Sequence, residues 1–550
     1  MTKNKNALIF LLVGFLYLFC PLVLSAQQKA RQSRPNIIFV LTDDLGWRDL
    51  GVYGSTFDET PNLDKLASEG MLFTDAYASC NVCSPSRSSI MTGQYPVHTG
   101  ITDWITGRQS GGPMPYDKLL PPAFAFQMDS SEVTIAQSLK NAGYATFFAG
   151  KWHLGLTERY WPEQEGFDVN KGGWAAGNPK AYGMGGYFSP YHNPRLSDGP
   201  KGEFLTDRLT NEAISFIKEK TSKGLPFFVD ISFYAVHQPI EAKQEYITKF
   251  KEKAHHLGLD TMQQFVKDAA WMKDESGFQE RIVQANPVYA ALLYSVDENV
   301  GRILKLLKQL GIEKNTIIVF SSDNGGLSTS EGSPTSNYPL RYGKGWNYEG
   351  GIRVPLIIKW PGVTKGGSIS DFPVVNTDFY PTFLQMAGMP LMPEQHKDGV
   401  SLAPLLEGKK SIDQPAIYWH YPHYSNQGGG PGAAIRENNW KLVQFYEDNH
   451  VELYNLRADI EERRDLSYTL PGRTADMLHL LNLWKKQAGA KMPAINPYYN
   501  PDYKELMKKN NESMRQYLSH YDTLFSKEIY DPNVSKDLRD QYNRLYHNKN

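Results

Sequence analysis

Four short apolar segments of the sequence each run directly into a cluster of polar residues. Segments of this length that are apolar almost throughout are typical of strands buried on both faces of a parallel sheet. The acids, amides, lysines and histidines that follow them are costly to bury without partners. The segments and their continuations are Asn36–Leu41 with Thr42-Asp43-Asp44, Tyr144–Ala149 with Gly150-Lys151-Trp152-His153, Phe227–Ala235 with Val236-His237-Gln238-Pro239, and Thr316–Phe320 with Ser321-Ser322-Asp323-Asn324-Gly325.

Segments with helical periodicity separate these strands, at Leu63–Glu69, Val133–Ala142, Thr206–Lys220 and Val288–Leu310. Strands that alternate with helices predict an α/β fold, in which helices cover both faces of one sheet. Ligands of such sheets bind beyond the carboxyl ends of the strands. The four polar clusters are therefore the first candidates for a functional site.

The character of the sequence changes near Pro415. Ala433–Leu456 contains two apolar-rich strands around a polar turn at Glu447–His450, which indicates an antiparallel hairpin, and helical Ala475–Gln487 follows. We predict a large α/β domain over residues 34–414 and a smaller domain with an antiparallel sheet and a helix over residues 415–495. The tail, residues 496–550, is expected to lie along the surface.

Residues 1–26 have the order of a secretory signal peptide. Two lysines precede an apolar run from Ala7 to Cys20, and small residues follow up to Ala26. The run is short for a membrane span, and no second long apolar segment follows. We expect an exported protein without stable membrane insertion, located in the periplasm, with secretion or the cell surface as the alternative locations. A retained N-terminal anchor is the alternative interpretation.

Charge and cysteine content exclude two classes of protein. The 550 residues include 58 lysines and arginines and 59 aspartates and glutamates, a balance that gives no electrostatic case for binding nucleic acid or an anionic membrane. Of the three cysteines, two lie outside the signal segment, which is too few for a disulfide framework.

Cys80 and Cys83 allow three interpretations: a redox pair, a small disulfide, or a cysteine that is the precursor of another group. Ser84 followed by Pro85 predicts an N-cap and the first position of a helix. Cys83 would then lie just before that helix, where free amide groups favour negative charge. A redox pair does not explain Arg87 one turn further on, and the residues alone leave a reactive and a merely buried cysteine open.

A longer pattern resembles a known family. Cys83-Ser84-Pro85-Ser86-Arg87, then four residues, then Thr92-Gly93 is similar to the signature of type I, formylglycine-dependent sulfatases, with Met91 where that family more often has Leu. The resemblance covers about residues 34–470, through TDD, GKWHLG, HQP, SDNGG and YGKGWNYEGGIRVP (Tyr342–Pro355) in the family's order. It implies an alkaline-phosphatase-like sandwich with a large central mixed sheet flanked by helices.

The resemblance further implies that Cys83 is oxidised before folding to formylglycine (3-oxoalanine), an aldehyde. A formylglycine-generating or sulfatase-maturating enzyme would be the partner in that step. The hydrated aldehyde carries two hydroxyls on one carbon. One can attack sulfur and release a sugar alcohol, and the other can then reform the aldehyde and expel sulfate.

The acids and the amide at two strand ends indicate a hard divalent cation. Asp43, Asp44, Asp323 and Asn324 offer only oxygen, which selects Ca²⁺ or Mg²⁺. Taken singly, each pair would be a loop start or a hairpin turn. A metal would lower the pKa of the nucleophile and hold the sulfate oxygens. The resemblance implies one Ca²⁺, with the modified Cys83 as a further ligand.

The resemblance also assigns catalytic roles. Lys151 and Lys344 would contact the sulfate oxygens, while His153 would hold the formylglycine hydroxyl. Arg87 would stabilise the alkoxide and the metal site. On an extended segment, Lys151 and His153 would point to one side. A sugar alcohol is a poor leaving group, so we assign His237 as its general acid, assisted by Lys344.

The segment after the signature supplies candidates for binding a sugar. Trp104 can stack on a sugar face, with core packing as its alternative role, and Asp103 can bind hydroxyl groups. His98 and Arg108 complete the set. We therefore predict an exported, calcium-dependent sulfuric ester hydrolase that removes sulfate from a sulfated oligo- or polysaccharide. An algal polysaccharide such as ulvan and a host glycosaminoglycan or mucin glycan are the alternative substrates.

Three other functions are weighed against this one. A phosphomonoesterase or phosphodiesterase of the same fold would use an unmodified Thr or Ser and usually two Zn²⁺ ions bound by several His and Asp. A catalytically inactive protein that binds sulfated glycans would have lost Cys83, Arg87 or a metal ligand, and none is lost. A thiol oxidoreductase would need both Cys80 and Cys83.

Overall fold

The computed structural model describes residues 34–107, 114–266, 279–414 and 416–502. The predicted signal peptide, Arg108, Pro415 and the predicted tail from residue 503 onward lie outside the described residues. Within the described ranges, no helix combines the length and the apolar character that crossing a membrane requires.

The strands and α-helices are numbered in chain order over the described residues. The strands are β1 (Asn36–Thr42), β2 (Met71–Phe73), β3 (Ala76–Tyr77), β4 (Leu119–Leu120), β5 (Ala145–Gly150), β6 (Val169–Lys171), β7 (Phe227–Ser232), β8 (Phe265–Val266), β9 (Glu280–Arg281), β10 (Thr316–Ser322), β11 (Leu356–Lys359), β12 (Ser368–Ser370), β13 (Val374–Val375), β14 (Ile417–Tyr421), β15 (Gly432–Glu437), β16 (Trp440–Phe445), β17 (Val451–Asn455) and β18 (Ala494–Ile495). The helices are α1 (Pro61–Glu69), α2 (Cys83–Thr92), α3 (Pro96–Thr99), α4 (Ile135–Asn141), α5 (Leu205–Ser222), α6 (Gln244–His256), α7 (Pro287–Gln309), α8 (Glu349–Ile352), α9 (Phe379–Met386), α10 (Ala403–Leu406) and α11 (Pro471–Gln487).

A mixed sheet of eight strands forms the centre of the molecule, in the order β12-β2-β11-β10-β1-β7-β5-β6. The pairings show that β11 alone runs against the other seven strands. Each of the four predicted strands is present, and most of the strand ends lie within one or two residues of their predicted positions. The third is shorter than predicted, because β7 ends at Ser232 and the chain then turns back beside Asp43, where Val236 N donates to Asp43 O at 2.8 Å.

Alternate side chains of β1 enter two different cores, as the pleat of a strand requires. Ile38 and Val40 pack with α1, α5 and α7 on one face of the sheet. Ile37, Phe39 and Leu41 pack with α2, α4 and α9 on the other face. Both faces of the sheet are thus covered, which explains why the strands are apolar throughout and confirms the predicted α/β class.

The C-terminal region contains a separate antiparallel sheet in the order β14-β15-β16-β17, with α11 packed against β15 and β16. Sequence analysis placed two strands in Ala433–Leu456, and this number is wrong, because β15, β16 and β17 all lie there. The missed turn is the two residues Asn438-Asn439, and Asn438 has a φ of +53°. Asn tolerates this left-handed conformation well, so the Asn-Asn pair in the sequence indicates a tight turn.

A buried ion cluster joins this small sheet to the large domain. Lys441 Nζ on β16 lies 3.0 Å from Glu349 Oε1 on α8 and 2.9 Å from Glu462 Oε1, and all three side chains are fully buried. Arg353 NH1 also pairs with Glu349, at 3.1 Å. Because the buried pair of Lys441 and Glu349 crosses the boundary, the small sheet and α8 hold each other in place. The division of the chain near Pro415 stays a prediction.

We predict that Lys441→Met destabilises the protein by about 3–5 kcal/mol, because it leaves the buried Glu462 without its cation and Glu349 with Arg353 alone. Urea unfolding followed by tryptophan fluorescence measures this change. Lys223→Met is the matched control, because Lys223 pairs with Glu219 at 2.7 Å but is 57% exposed. Such a surface pair is worth about 0–1 kcal/mol. Equal stability of the two variants would contradict a structural role for the buried cluster.

Candidate active site

The four predicted strand ends lie side by side. β10, β1, β7 and β5 are neighbours in the sheet and run parallel, so their carboxyl ends meet at one edge. Asp43 and Asp44 follow β1, Asp323 and Asn324 follow β10, and Lys151 follows β5. All five side chains are buried. The sheet therefore brings together groups that are far apart in the sequence.

Cys83 reaches this edge from the start of α2. The helix begins at Cys83 with Val82 as its N-cap, so the prediction that Ser84 caps it is wrong. Ser84 Oγ instead accepts a hydrogen bond from Ile105 N at 3.1 Å, which leaves it unable to cap α2. Cys83 Sγ lies 3.7 Å from Asp43 Oδ1. Cys83 thus occupies the first turn of the helix, beside the acids of β1.

The two cysteines have opposite environments. Both are buried, and no disulfide joins them. Burial raises the pKa of Cys83, but Lys151 and Lys344 outweigh it and lower the pKa to about 7. Burial raises the pKa of Cys80 well above its usual value. Cys80 packs instead among Val82, Tyr421 and the half-buried Trp104. The interpretation as a disulfide is therefore not supported, and only Cys83 faces cations.

Three carboxyl groups and one amide converge on the space beside Cys83. Asp44 N donates to Asp323 Oδ1 at 3.2 Å, and Asn324 Nδ2 donates to Asp44 Oδ1 at 2.8 Å. Asn324 Oδ1 is buried and accepts no hydrogen bond from the described residues. The ligand atoms offered by Asp43, Asp44, Cys83 and His237 all lie within 4.8 Å of one another. The oxygens of Asp43, Asp44, Asp323 and Asn324, of which Asn324 Oδ1 is unused, fit a hard cation such as Ca²⁺.

Three buried cations compensate the carboxylates. Arg87 Nε pairs with Asp323 Oδ2 at 2.8 Å, and Lys151 Nζ pairs with Asp43 Oδ2 at 2.7 Å. Lys344 Nζ pairs with Asp44 Oδ2 at 2.8 Å. Each acid thus has its own cation. The lysines reach the cluster from different elements, since Lys151 follows β5 and Lys344 belongs to the segment before α8.

The pKa values reflect a balance between burial and these charges. Burial raises the pKa of Asp43 above its usual value, and Lys151 opposes this only in part. Burial also raises the pKa of Asp323, to about 6. For Asp44, Lys344 and His237 outweigh burial and hold the pKa well below its usual range. Crowded carboxylates whose pKa values diverge in this way are typical of functional sites.

His237 lies next to Lys344 at the more open side of the cluster. Its Nε2 is 3.1 Å from Lys344 Nζ and 3.5 Å from Asp44 Oδ2, while Nδ1 contacts Gln238 O at 2.7 Å. The imidazole is 12% exposed, whereas the side chain of Lys344 is 4% exposed. Among the clustered cationic and imidazole groups, His237 is thus the one that a substrate alcohol reaches most easily.

His153 is placed differently from the expectation of an extended segment. Residues 151–153 form no strand, and His153 has a φ of +58°, in the left-handed region. Its Nε2 is hydrogen-bonded to Ile105 O, and Nδ1 has no partner among the described residues. Burial lowers the pKa of His153 far below its usual value, with Lys151 adding to the effect. The alternation argument was therefore wrong, although both residues lie at this end of the sheet.

The predicted sugar-binding residues have different environments in the structure. His98 contacts Asp398, with Nδ1 2.6 Å from Oδ2, and the described residues show no contact between His98 and the charged cluster. Asp103 is fully buried, and its Oδ1 accepts a hydrogen bond from Tyr421 OH at 2.8 Å. Trp104 stays half-exposed. Arg108 lies outside the described residues, so the substrate assignments remain predictions.

Sequence analysis missed Asn376, which supports the site from behind. Its Nδ2 donates to Ser86 Oγ at 2.7 Å, and Ser86 Oγ in turn donates to Asp323 O. Asn376 follows β13 directly and is fully buried. The signal was the same as at the other strands, a polar residue after an apolar pair, but β13 has only two residues.

Comparisons with known proteins agree over most of the chain. A family model described as Sulfatase matches residues 35–389, and one described as N-sulphoglucosamine sulphohydrolase, C-terminal, matches residues 340–482. A sulfatase of Formosa agariphila is 32% identical over 86% of this chain and 92% of its own length. The N-acetylgalactosamine-6-sulfatase of Mus musculus is 32% identical over 70% of this chain and 68% of its own length.

Solved structures share the fold. The crystal structure of Ps i-CgsB in complex with k-i-k-neocarrahexaose has a TM-score of 0.65 and 28% identity, covering 89% of this chain and 99% of its own. The phosphonate monoester hydrolase of Agrobacterium radiobacter, at 19% identity and a TM-score of 0.57, is similar in fold alone. The chain belongs to the sulfatase family, and it is a sulfuric ester hydrolase with an alkaline-phosphatase-like fold.

Proposed function

We propose that the protein removes sulfate from a sulfated carbohydrate and that Cys83 is converted to formylglycine for this purpose. The observation that carries the proposal is the position of Cys83, which lies beside Asp43 at the joint carboxyl edge of four strands, where Lys151 and Lys344 lower the pKa of its thiol. In the unmodified residue, Sγ stands in for the oxygen that conversion would introduce. Formylglycine would supply the nucleophilic oxygen and the means of releasing sulfate afterwards.

The proposed metal is one Ca²⁺, held by Asp43, Asp44, Asp323, Asn324 and the converted Cys83. Bound there, the ion would supply positive charge that activates the nucleophile and holds sulfate oxygens. The unused Asn324 Oδ1 and the crowding of three buried carboxyl groups support this ligand set.

The remaining residues act on the ester itself. Lys151 and Lys344 attract and orient the sulfate, since they bring two positive charges into a site from which water is largely excluded. Arg87 holds Asp323 and Lys151 O in place through Nε and NH1, each at 2.8 Å. His153 orients the nucleophile. His237, the more exposed of the polar groups, gives a proton to the departing sugar oxygen.

A sulfated carbohydrate is the proposed substrate class. Support comes from the relatives: one is an N-acetylgalactosamine-6-sulfatase, and BT4656, 25% identical with a TM-score of 0.63, was solved with its substrate D-glucosamine-2-N,6-O-disulfate. Of the predicted sugar-binding residues, Trp104 keeps the exposure needed for stacking. We further propose that residues 1–26 direct export to the periplasm and that a maturating enzyme converts Cys83.

We expect the mature protein to release sulfate from at least one defined sulfated sugar and to leave the matched phosphate esters intact. The panel contains the 6-sulfates of galactose, N-acetylgalactosamine and N-acetylglucosamine, with oligosaccharides of ulvan and carrageenan. Ion chromatography of released sulfate and phosphate is the measurement. Faster release of phosphate than of sulfate would favour the phosphoesterase alternative.

We predict that Cys83→Ala lowers kcat by at least about a thousandfold, because it removes the proposed nucleophile. Cys80→Ser is the matched control and should retain activity, since Cys80 has no contact with the charged cluster in the described structure. Mass spectrometry of the peptide spanning residues 79–93 reports the conversion of each protein. A fully active protein whose Cys83 is entirely thiol would refute the proposed chemistry.

Removal of divalent metal is expected to abolish turnover and to lower the melting temperature, because an ion that binds only the folded state contributes to its stability. Ca²⁺ at a hundred times its Kd should restore about 2.7 kcal/mol of stability by mass action. Activity and thermal unfolding after treatment with a chelator are measured with Ca²⁺, Mg²⁺ or Zn²⁺ added back. Unchanged activity in protein shown to be free of metal would count against the site.

His237→Ala should lower kcat/KM for a sugar sulfate by roughly 100- to 10,000-fold, the usual contribution of a general acid. The same variant should lose much less on 4-nitrophenyl sulfate, whose phenolate leaves without a proton. His255→Ala, at a side chain that is 79% exposed, is the control. An equal loss on both esters would show that His237 does not protonate the leaving group.

A further inference from the structure

Glu331 belongs to the segment that joins β10 to α8, the segment that also carries Lys344. Unlike the buried acids of the site, Glu331 is exposed. Its Oε1 accepts hydrogen bonds from Gln427 Nε2 at 2.6 Å and Asn426 Nδ2 at 3.0 Å. Its Oε2 has no hydrogen-bond partner among the described residues, so one carboxylate oxygen is directed to solvent with its position fixed by the other.

Gln427 fixes Glu331 relative to Lys344. Gln427 is 3% exposed, and its carbonyl accepts hydrogen bonds from Thr329 Oγ1 at 2.9 Å and Trp346 Nε1 at 3.1 Å. Gly345, the neighbour of Lys344, packs so closely here that an added Cβ would lie 2.9 Å from Gln427 Cβ. The side chain that holds Glu331 thus rests directly against the backbone that carries Lys344.

On its other side, the Glu331 segment meets the loop of His237. A Cβ added at Gly332 would lie 3.8 Å from Gln238 Nε2, and Gln238 follows the imidazole that contacts Lys344 Nζ. The segment of Glu331 is therefore flanked by the two loops that carry Lys344 and His237.

We propose that Glu331 is a specificity-determining residue, whose carboxylate accepts hydroxyl or amide N–H donors of the sugar and rejects a second sulfate on the same sugar unit. The proposal rests on the proposed function. Lys151, Lys344 and the proposed Ca²⁺ would attract any sulfate ester, so they cannot by themselves distinguish a monosulfated from a disulfated unit. The fixed negative charge of Glu331 would repel a second sulfate, and discrimination of this kind requires such a repulsive contact.

The test compares Glu331→Gln with the wild-type protein on two pairs of sugars. The pairs are N-acetylgalactosamine 6-sulfate with its 4,6-disulfate, and N-acetylglucosamine 6-sulfate with D-glucosamine-2-N,6-O-disulfate. Glutamine keeps the size and the acceptor oxygen but removes the charge. Glu394→Gln is the matched control, because Glu394 is also exposed but belongs to the segment before α10.

We expect Glu331→Gln to raise kcat/KM for the disulfated member, relative to the monosulfated one, by at least about fivefold, the effect of one unit charge at close range in water. The gain should shrink in 1 M salt, because screening suppresses the repulsion in the wild-type protein. Glu394→Gln should leave the ratio unchanged.

An unchanged ratio in Glu331→Gln, or an equal loss on both members of a pair, would overturn the assignment, because the residue would then act on the loop or not at all. Glu331→Asp separates the two roles, since it keeps the charge and should keep the preference of the wild-type protein. If the wild-type protein hydrolyses neither these pairs nor the ulvan and carrageenan oligosaccharides but remains active on aryl sulfates, the proposed sugar function fails, and the specificity assignment fails with it.

Discussion

The structure depends on one electrostatic constraint, the burial of three carboxyl groups and three cations at one edge of the sheet. Asp43, Asp44 and Asp323 each pair with a different cation, and all of these side chains are almost fully removed from water. Burying such charges is costly, and it is tolerated only where partners are placed within a few tenths of an ångström. This requirement ties the helix of Cys83, the four strand ends and the segment of Lys344 to one another.

The surrounding fold supplies that placement in layers. Parallel neighbours β10, β1, β7 and β5 set the spacing of the acids, and the two apolar faces of the sheet hold the strands in register. Asn376 and Ser86 support Asp323 from behind. The small C-terminal sheet holds α8 through the buried Lys441 cluster, and α8 follows the segment that carries Lys344. The C-terminal region is therefore part of the catalytic architecture rather than an appendage.

The buried charged cluster and the residues around it are suited to different tasks. The inner groups address features shared by every sulfate ester, namely its negative charge and its tetrahedral oxygens. Discrimination among sugars requires groups beyond this cluster, and the proposed ones are Glu331, which is exposed, and Trp104, which is partly buried. Specificity is then carried by residues other than those that act on the sulfate.

The sequence by itself determined the α/β class, the four strands and the residues that follow them, because an apolar segment that runs into acids or lysines is a local pattern. The long signature around Cys83 likewise identified the family. Only the tertiary structure decided that β10, β1, β7 and β5 are neighbours, that His153 takes a left-handed conformation against Ile105 O, and that Ser84 bonds Ile105 instead of capping its helix. It alone showed that Gln427 holds Glu331 beside Lys344. Each of these features depends on contacts between segments that are distant in the chain, and local residue patterns do not predict such contacts.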